Sequence, residues 1–305
     1  MTEKITIPAL IEKKSRGEKI TMLTAYDAPI ARLLDQADVD VILVGDSLGM
    51  VALGYSSTVP VTMEEMLHHA KAVRRGVSRA LVVGDMPFMS FNLSRQETTR
   101  NAGRFLKEAG CDAVKLEGGQ GSAASIEAVR AVLEAGIPVL GHLGLTPQTA
   151  GKVGGFKVQA KSAETARQLL ESAIALEEAG CFGIVLECVP SQVAALVTRR
   201  LKIPTIGIGA GPHCDGQVLV TQDLLGLTGD FYPRFVRRYA DLKGTILQSL
   251  RTFRKEVSAG TFPAGDESYS MEKSQWQELQ RSVAARKLSS RKRGSDSREC
   301  ENDKR

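Results

Sequence analysis

Five polar side chains in this 305-residue chain each close a short apolar run. Asp46 follows VILVG, Asp85 follows LVVG, Glu117 ends AVKLE, His142 follows VLG and Glu187 follows GIVL. Runs of this length and β-branched content read as strands. If the strands are parallel, all five residues emerge at the same rim. Several carboxylates without thiolates suit a hard divalent cation that takes oxygen ligands and keeps waters, which points to magnesium before zinc or copper.

Each residue also has a plainer reading. A lone carboxylate at a strand end is often a helix N-cap, which applies to Asp46 and Asp85 taken singly but does not account for their repetition. Ser47 either caps a helix or donates a hydrogen bond to a substrate carboxylate. Lys115 and Glu117 lie two residues apart on one strand, so with Leu116 facing outward both point into the interior. There they form an internal ion pair, or the lysine holds a substrate carboxylate or developing oxyanion. Placement at the same rim as Asp46 and Asp85 favours the second. His142 is a neutral ligand, a general base or a positioning residue, and no second histidine stands at metal spacing. The GIGAG run at Gly207–Gly211 lacks full GxGxxG spacing and follows a late strand, so it reads as a tight turn rather than a phosphate site.

The elements that must position these groups recur along the chain. Strand-like runs end near Tyr26, Asp46, Asp85, Glu117, His142, Glu187 and Gly209, and a weaker LLGL near Leu227 supplies an eighth. Between them lie amphipathic segments such as Ala102, Phe105, Leu106 and Ala109, or Ala166, Leu169, Leu170 and Ala173. Strand and helix in sustained alternation require right-handed parallel crossovers, and this favours a closed (β/α)8 TIM barrel over a doubly wound sheet. A helical extension with Phe235, Leu242, Ile246, Leu247 and Leu250 follows. Residues 1–267 therefore read as one barrel with its extension, and residues 268–305 as a polar, basic, disordered tail.

The net charge of +5 belongs mostly to the end of the chain, where residues 271–305 hold ten Lys and Arg against six Asp and Glu. The near-neutral remainder gives no electrostatic case for nucleic acid, and the tail alone motivates a test for it. Five cysteines scattered without CxxC spacing fit a reducing cytoplasm, and no signal peptide or membrane-length apolar run is present.

The motifs VGDSLGMVALGYSSTVPVT (44–62), VVGDMPFMSF (82–91), VKLEGG (114–119), GHLGLTPQ (141–148), GGFKVQAK (154–161), VLECVP (185–190) and PTIGIGAGPHCDGQVLVTQDLLGL (204–227) follow in unbroken order. Together they resemble the ketopantoate hydroxymethyltransferase family, within the wider phosphoenolpyruvate-mutase-like barrel group, over roughly residues 3–267. Ser56 stands where the family motif often has Asp, and Gln222 where His is expected.

The resemblance implies Mg2+ bound through Asp46 and Asp85, with Glu117 joining directly or through water. It implies that Asp46, Ser47, Asp85 and Lys115 contact an α-keto acid and that Glu187 is the proton acceptor. It further implies 5,10-methylenetetrahydrofolate as one-carbon donor, 3-methyl-2-oxobutanoate as acceptor, and a homo-oligomer, commonly a decamer. A magnesium-dependent lyase or mutase on the same barrel is the competing enzyme class.

Overall fold

Why the interior of this protein changes character from one end to the other is visible in the strand alternation. The computed structural model describes residues 3–118, 123–229 and 232–295. Its strands are β1 (Ile20–Thr24), β2 (Val41–Val44), β3 (Leu81–Asp85), β4 (Ala113–Glu117), β5 (Val139–Gly144), β6 (Gly183–Glu187), β7 (Thr205–Ile208) and β8 (Gly216–Leu219). They pair in sequence order, all parallel, and β8 returns to β1 to close the barrel. Inward positions on the amino-terminal half carry Ile20, Met22, Val41, Leu43, Leu81, Val83, Ala113, Leu140 and Val185, which form one apolar cluster. One step toward the carboxyl ends, the same inward faces carry Asp85, Lys115, Glu117, His142 and Glu187. Period-two alternation turns the intervening Val114, Leu116, Ile184 and Leu186 outward into the larger core beneath the helices. The barrel is thus packed with hydrocarbon below and charged above.

The helices are α1 (Ile7–Ser15), α2 (Ala28–Gln36), α3 (Leu48–Val51), α4 (Met63–Gly76), α5 (Arg95–Lys107), α6 (Ala123–Glu134), α7 (Ala163–Ala179), α8 (Ser191–Arg200), α9 (Thr221–Leu224), α10 (Leu242–Ala259) and α11 (Lys273–Ser295). Local sequence sets their starts. Thr62 and Glu65 form a reciprocal capping box on α4, Ser162 and Thr165 do so on α7, and Asp27 and Ser94 cap α2 and α5. Helix α1 places Leu10 against the apolar floor of the barrel and anchors it through Lys13–Asp40 (2.7 Å) and Lys14–Asp215 (2.8 Å). Among the described residues, no helix is long and apolar enough to cross a membrane.

Three expectations differ from what is found. The eighth strand is Gly216–Leu219, not the LLGL near Leu227, whose first residue ends α9. The real strand is short, and Gln217 is exposed on it, so its hydrophobic signal is weak. The extension helix begins at Leu242 rather than before Phe235, because Tyr239, Leu242 and Lys243 donate their amides to the carbonyls of Leu224, Leu225 and Gly226. Lastly, the tail carries α11 where a disordered segment was expected. Lys, Gln, Glu, Arg, Leu and Ala are strong helix formers, and that propensity is separate from the capacity to bury a core. Its side chains are exposed over 273–285, and residues 296–305 lie outside the described ones. The chain divides into two compact units, Met1–Lys243 and Gly244–Arg305.

Candidate active site

The rim is built strand by strand. Register sets Asp85 on β3 opposite Lys115 on β4, Glu117 opposite His142 on β5, and Gly144 opposite Glu187 on β6. Asp46 arrives from the turn after β2 and donates its backbone amide to Asp85 Oδ2 at 3.1 Å. Lys115 Nζ donates to Asp85 Oδ1 at 2.6 Å. Asp46, Asp85, Lys115, Glu117 and His142 are each at most 5% exposed, whereas the Glu187 side chain is 16% exposed and stands at the open edge. Neither Asp46 nor Asp85 caps a helix with its side chain: the cluster has claimed both.

Two glycines make this approach possible. Gly84, just before Asp85, has the Phe105 ring of α5 in the space a Cβ would need. Gly144 has φ +96°, and a Cβ there would strike the Glu187 carbonyl oxygen and Val189, so only glycine lets β5 and β6 close at the base of Glu187. The GIGAG segment is a tight turn: Gly209 and Gly211 have φ +63° and +80°, the Phe235 ring lies over Gly209, and Ser191 packs against Gly211.

The electrostatics follow from burial. Burial opposes the charge on Lys115, but Asp85, Glu117 and Asp46 outweigh it and raise its pKa, so the ammonium persists. Burial also raises Asp85 and Glu117, against the pull of Lys115 on the first and of His142 on the second. His142 stands between two acids, Nδ1 3.6 Å from Glu117 Oε1 and Nε2 3.2 Å from Glu187 Oε2, neither contact aligned as a hydrogen bond. Burial and Lys115 resist its protonation, yet the two glutamates prevail and move its pKa up to about 9.

Ser47 does not cap α3 with its side chain, and its Oγ lies 2.9 Å from the Tyr26 hydroxyl. Tyr26, two residues past β1, is buried and its pKa is raised by burial, so the phenol stays protonated. The sequence reading missed Gln148, the second residue of the 3-10 turn Pro147–Val153 after β5. Its Nε2 donates to Asp46 Oδ2 and to the Met86 carbonyl, both at 2.9 Å, and its backbone amide donates to Glu117 Oε2 at 3.2 Å. A neutral amide in a loop carries no charge or periodicity signal, and only its place in the GHLGLTPQ motif pointed to it.

Among the described residues, no three His, Cys, Asp or Glu side chains converge as a ready-made metal cage. The donor chemistry nonetheless fits a hard cation that retains waters. Asp46 and Asp85 are joined by a direct hydrogen bond, and Glu117 Oε1 is buried with no hydrogen-bond partner.

Comparison with known proteins decides which barrel this is. The sequence profile described as ketopantoate hydroxymethyltransferase matches residues 4–265. The chain belongs to the ketopantoate hydroxymethyltransferase family. Proteins named 3-methyl-2-oxobutanoate hydroxymethyltransferase from Heliobacterium modesticaldum and Moorella thermoacetica are each 56% identical to it. The first alignment covers 89% of this chain and 98% of the relative, the second 87% and 98%. This family member is accordingly an enzyme, a transferase. Solved structures show the same fold at low identity. Phosphoenolpyruvate phosphomutase from Streptomyces platensis subsp. rosaceus has TM-score 0.56 at 15% identity, covering 93% of this chain and 98% of that one. A phosphonopyruvate hydrolase in complex with oxalate and Mg++ has TM-score 0.55 at 14% identity, with 92% and 99% covered. A 2,3-dimethylmalate lyase, described as a member of the phosphoenolpyruvate mutase/isocitrate lyase superfamily, shares the barrel fold at 13% identity and TM-score 0.51.

Proposed function

We propose that this chain transfers a hydroxymethyl group from 5,10-methylenetetrahydrofolate to 3-methyl-2-oxobutanoate, forming 2-dehydropantoate by magnesium-assisted enolisation in pantothenate and coenzyme A biosynthesis. The observation that carries the reading is one buried ammonium, Lys115, set among Asp46, Asp85 and Glu117, with Glu187 standing free enough at the open edge to meet a substrate.

Asp46 and Asp85 would hold Mg2+, with Glu117 joining them directly or through water. An ion bound there would supply Lewis-acid polarisation of the substrate's keto oxygen. Asp46, Ser47, Asp85 and Lys115 contact the keto acid. Tyr26 and Ser47 share a hydrogen bond of 2.9 Å between their hydroxyls, and with the tyrosine as donor the serine hydrogen is left for the substrate carboxylate. Lys115, itself buried, supplies fixed positive charge where negative charge develops. Glu187 takes the proton from the branched carbon C3, and the C–H electron pair passes toward the keto oxygen. The resulting enolate carbon bonds to the methylene carbon as the first of its two carbon–nitrogen bonds to folate breaks. Water then displaces the second nitrogen and supplies the hydroxyl, the C3 proton and one water proton ending on the two folate nitrogens. His142, 3.2 Å from Glu187, orients the base. The enzyme works in the cytoplasm as a homo-oligomer, a decamer in this reading.

Mass spectrometry of the reaction tests the assignment. With 3-methyl-2-oxobutanoate, magnesium and a cofactor labelled with 13C at its methylene carbon, the product should gain one CH2O unit bearing the label. Turnover of a dicarboxylate or phosphonate in place of the keto acid would instead make this chain a lyase or mutase.

A further inference from the structure

Gln148 is bonded to both ends of the acidic cluster at once. Its side chain holds Asp46, its backbone amide holds Glu117, and the Met86 carbonyl fixes the amide from the far side. The residue is 5% exposed. Because Nε2 faces two acceptors, the amide has only one sensible orientation, and this turns Oε1 toward a place where it is buried without a partner. A buried carbonyl oxygen left unpaired costs free energy unless a donor arrives with the ligand.

We propose that Gln148 is a positioning residue for the divalent cation: it fixes the rotamers of Asp46 and Glu117 and accepts a hydrogen bond from a water that enters with the ion. The inference rests on the magnesium reading above. A neutral amide suits the task. It donates to one carboxylate and accepts from water without adding charge, whereas a lysine here would compete with the cation and a glutamate would repel Asp46. The placement also ties the β5–α7 segment to the acidic cluster, since Gln148 lies on the Pro147–Val153 turn while its partners sit after β2, after β3 and on β4.

The test uses the full chain, wild type and Gln148→Met, which preserves volume and removes the side chain's donor and acceptor while keeping the backbone amide that faces Glu117. Magnesium binding is read by calorimetry on chelator-treated protein. Alongside it run the magnesium dependence of activity, KM for the keto acid at saturating magnesium, and the melting temperature in EDTA. The expected result is a magnesium dissociation constant raised at least tenfold, with KM at saturating magnesium within about threefold of wild type and the EDTA melting temperature little changed. Unchanged magnesium affinity in Gln148→Met, with wild type binding normally, overturns the inference and leaves the magnesium reading intact. No magnesium binding by wild type removes that reading and this inference with it. If Gln148→Met does not fold, Gln148→Asn gives the same contrast, because an amide one methylene shorter cannot reach Asp46 and Met86 together.

Discussion

Lys115 Nζ and Asp85 Oδ1 lie 2.6 Å apart on neighbouring strands, both side chains almost completely buried. Such a pair is held by its geometry, and removal of one member strands the other. Lys115→Met should destabilise the chelator-treated protein by about 3–5 kcal/mol and abolish turnover. Urea unfolding in EDTA measures it, and a loss below about 1 kcal/mol would show that Asp85 finds another partner.

His142 gives a pH dependence of known sign. Its folded pKa, about 9, exceeds the ordinary histidine value of about 6.5. The stabilisation from its contacts with Glu117 and Glu187 is therefore complete below about pH 6.5 and disappears as pH rises through about 9. In metal-free protein the melting temperature should fall over that window, and His142→Asn should flatten the profile. Equal slopes in the two proteins would contradict the assignment.

Gly144→Ala introduces a Cβ against the Glu187 carbonyl oxygen at a backbone angle that L residues rarely adopt. Strain of this kind costs on the order of 1–3 kcal/mol. Because the displaced atoms belong to the residue assigned as base, kcat should fall far more than stability, by roughly a hundredfold for a misplacement of about 1 Å. Steady-state kinetics beside a thermal melt separates the two effects.

The basic tail lies outside the matched family region, residues 4–265. Deletion of residues 271–305 removes no residue assigned to the site, all of which lie within Met1–Lys243, and should leave kcat/KM within about twofold, the factor that corresponds to about 0.5 kcal/mol. Salt-sensitive RNA binding by the full chain that disappears on deletion would give the tail a role of its own.

Much of the site could be read before any fold was known because strand ends are marked by abrupt changes from apolar to charged residues. Asp85, Glu117 and Glu187 end strands, and His142 sits on β5, as that signal requires. Leu116 faces outward while Lys115 and Glu117 face in, which period two alone dictates. What escaped was whatever lacks such contrast. Gly216–Leu219 is a strand by pairing rather than by hydrophobicity. Tyr26 looked like the last apolar residue of β1, and its hydroxyl contact with Ser47 depends on a neighbouring loop. Gln148 is uncharged and reaches Asp46 across 102 positions of sequence, a contact that only the closed barrel creates.

The central claim is that Glu187 removes the C3 proton of 3-methyl-2-oxobutanoate within a magnesium-dependent site. NMR in deuterated water, without folate, follows loss of that proton directly for wild type and Glu187→Gln, each with magnesium or EDTA. The account predicts exchange by wild type with magnesium, none in EDTA, and a rate about 10²–10⁴ lower in Glu187→Gln. Undiminished exchange in Glu187→Gln, or exchange indifferent to magnesium, would contradict it.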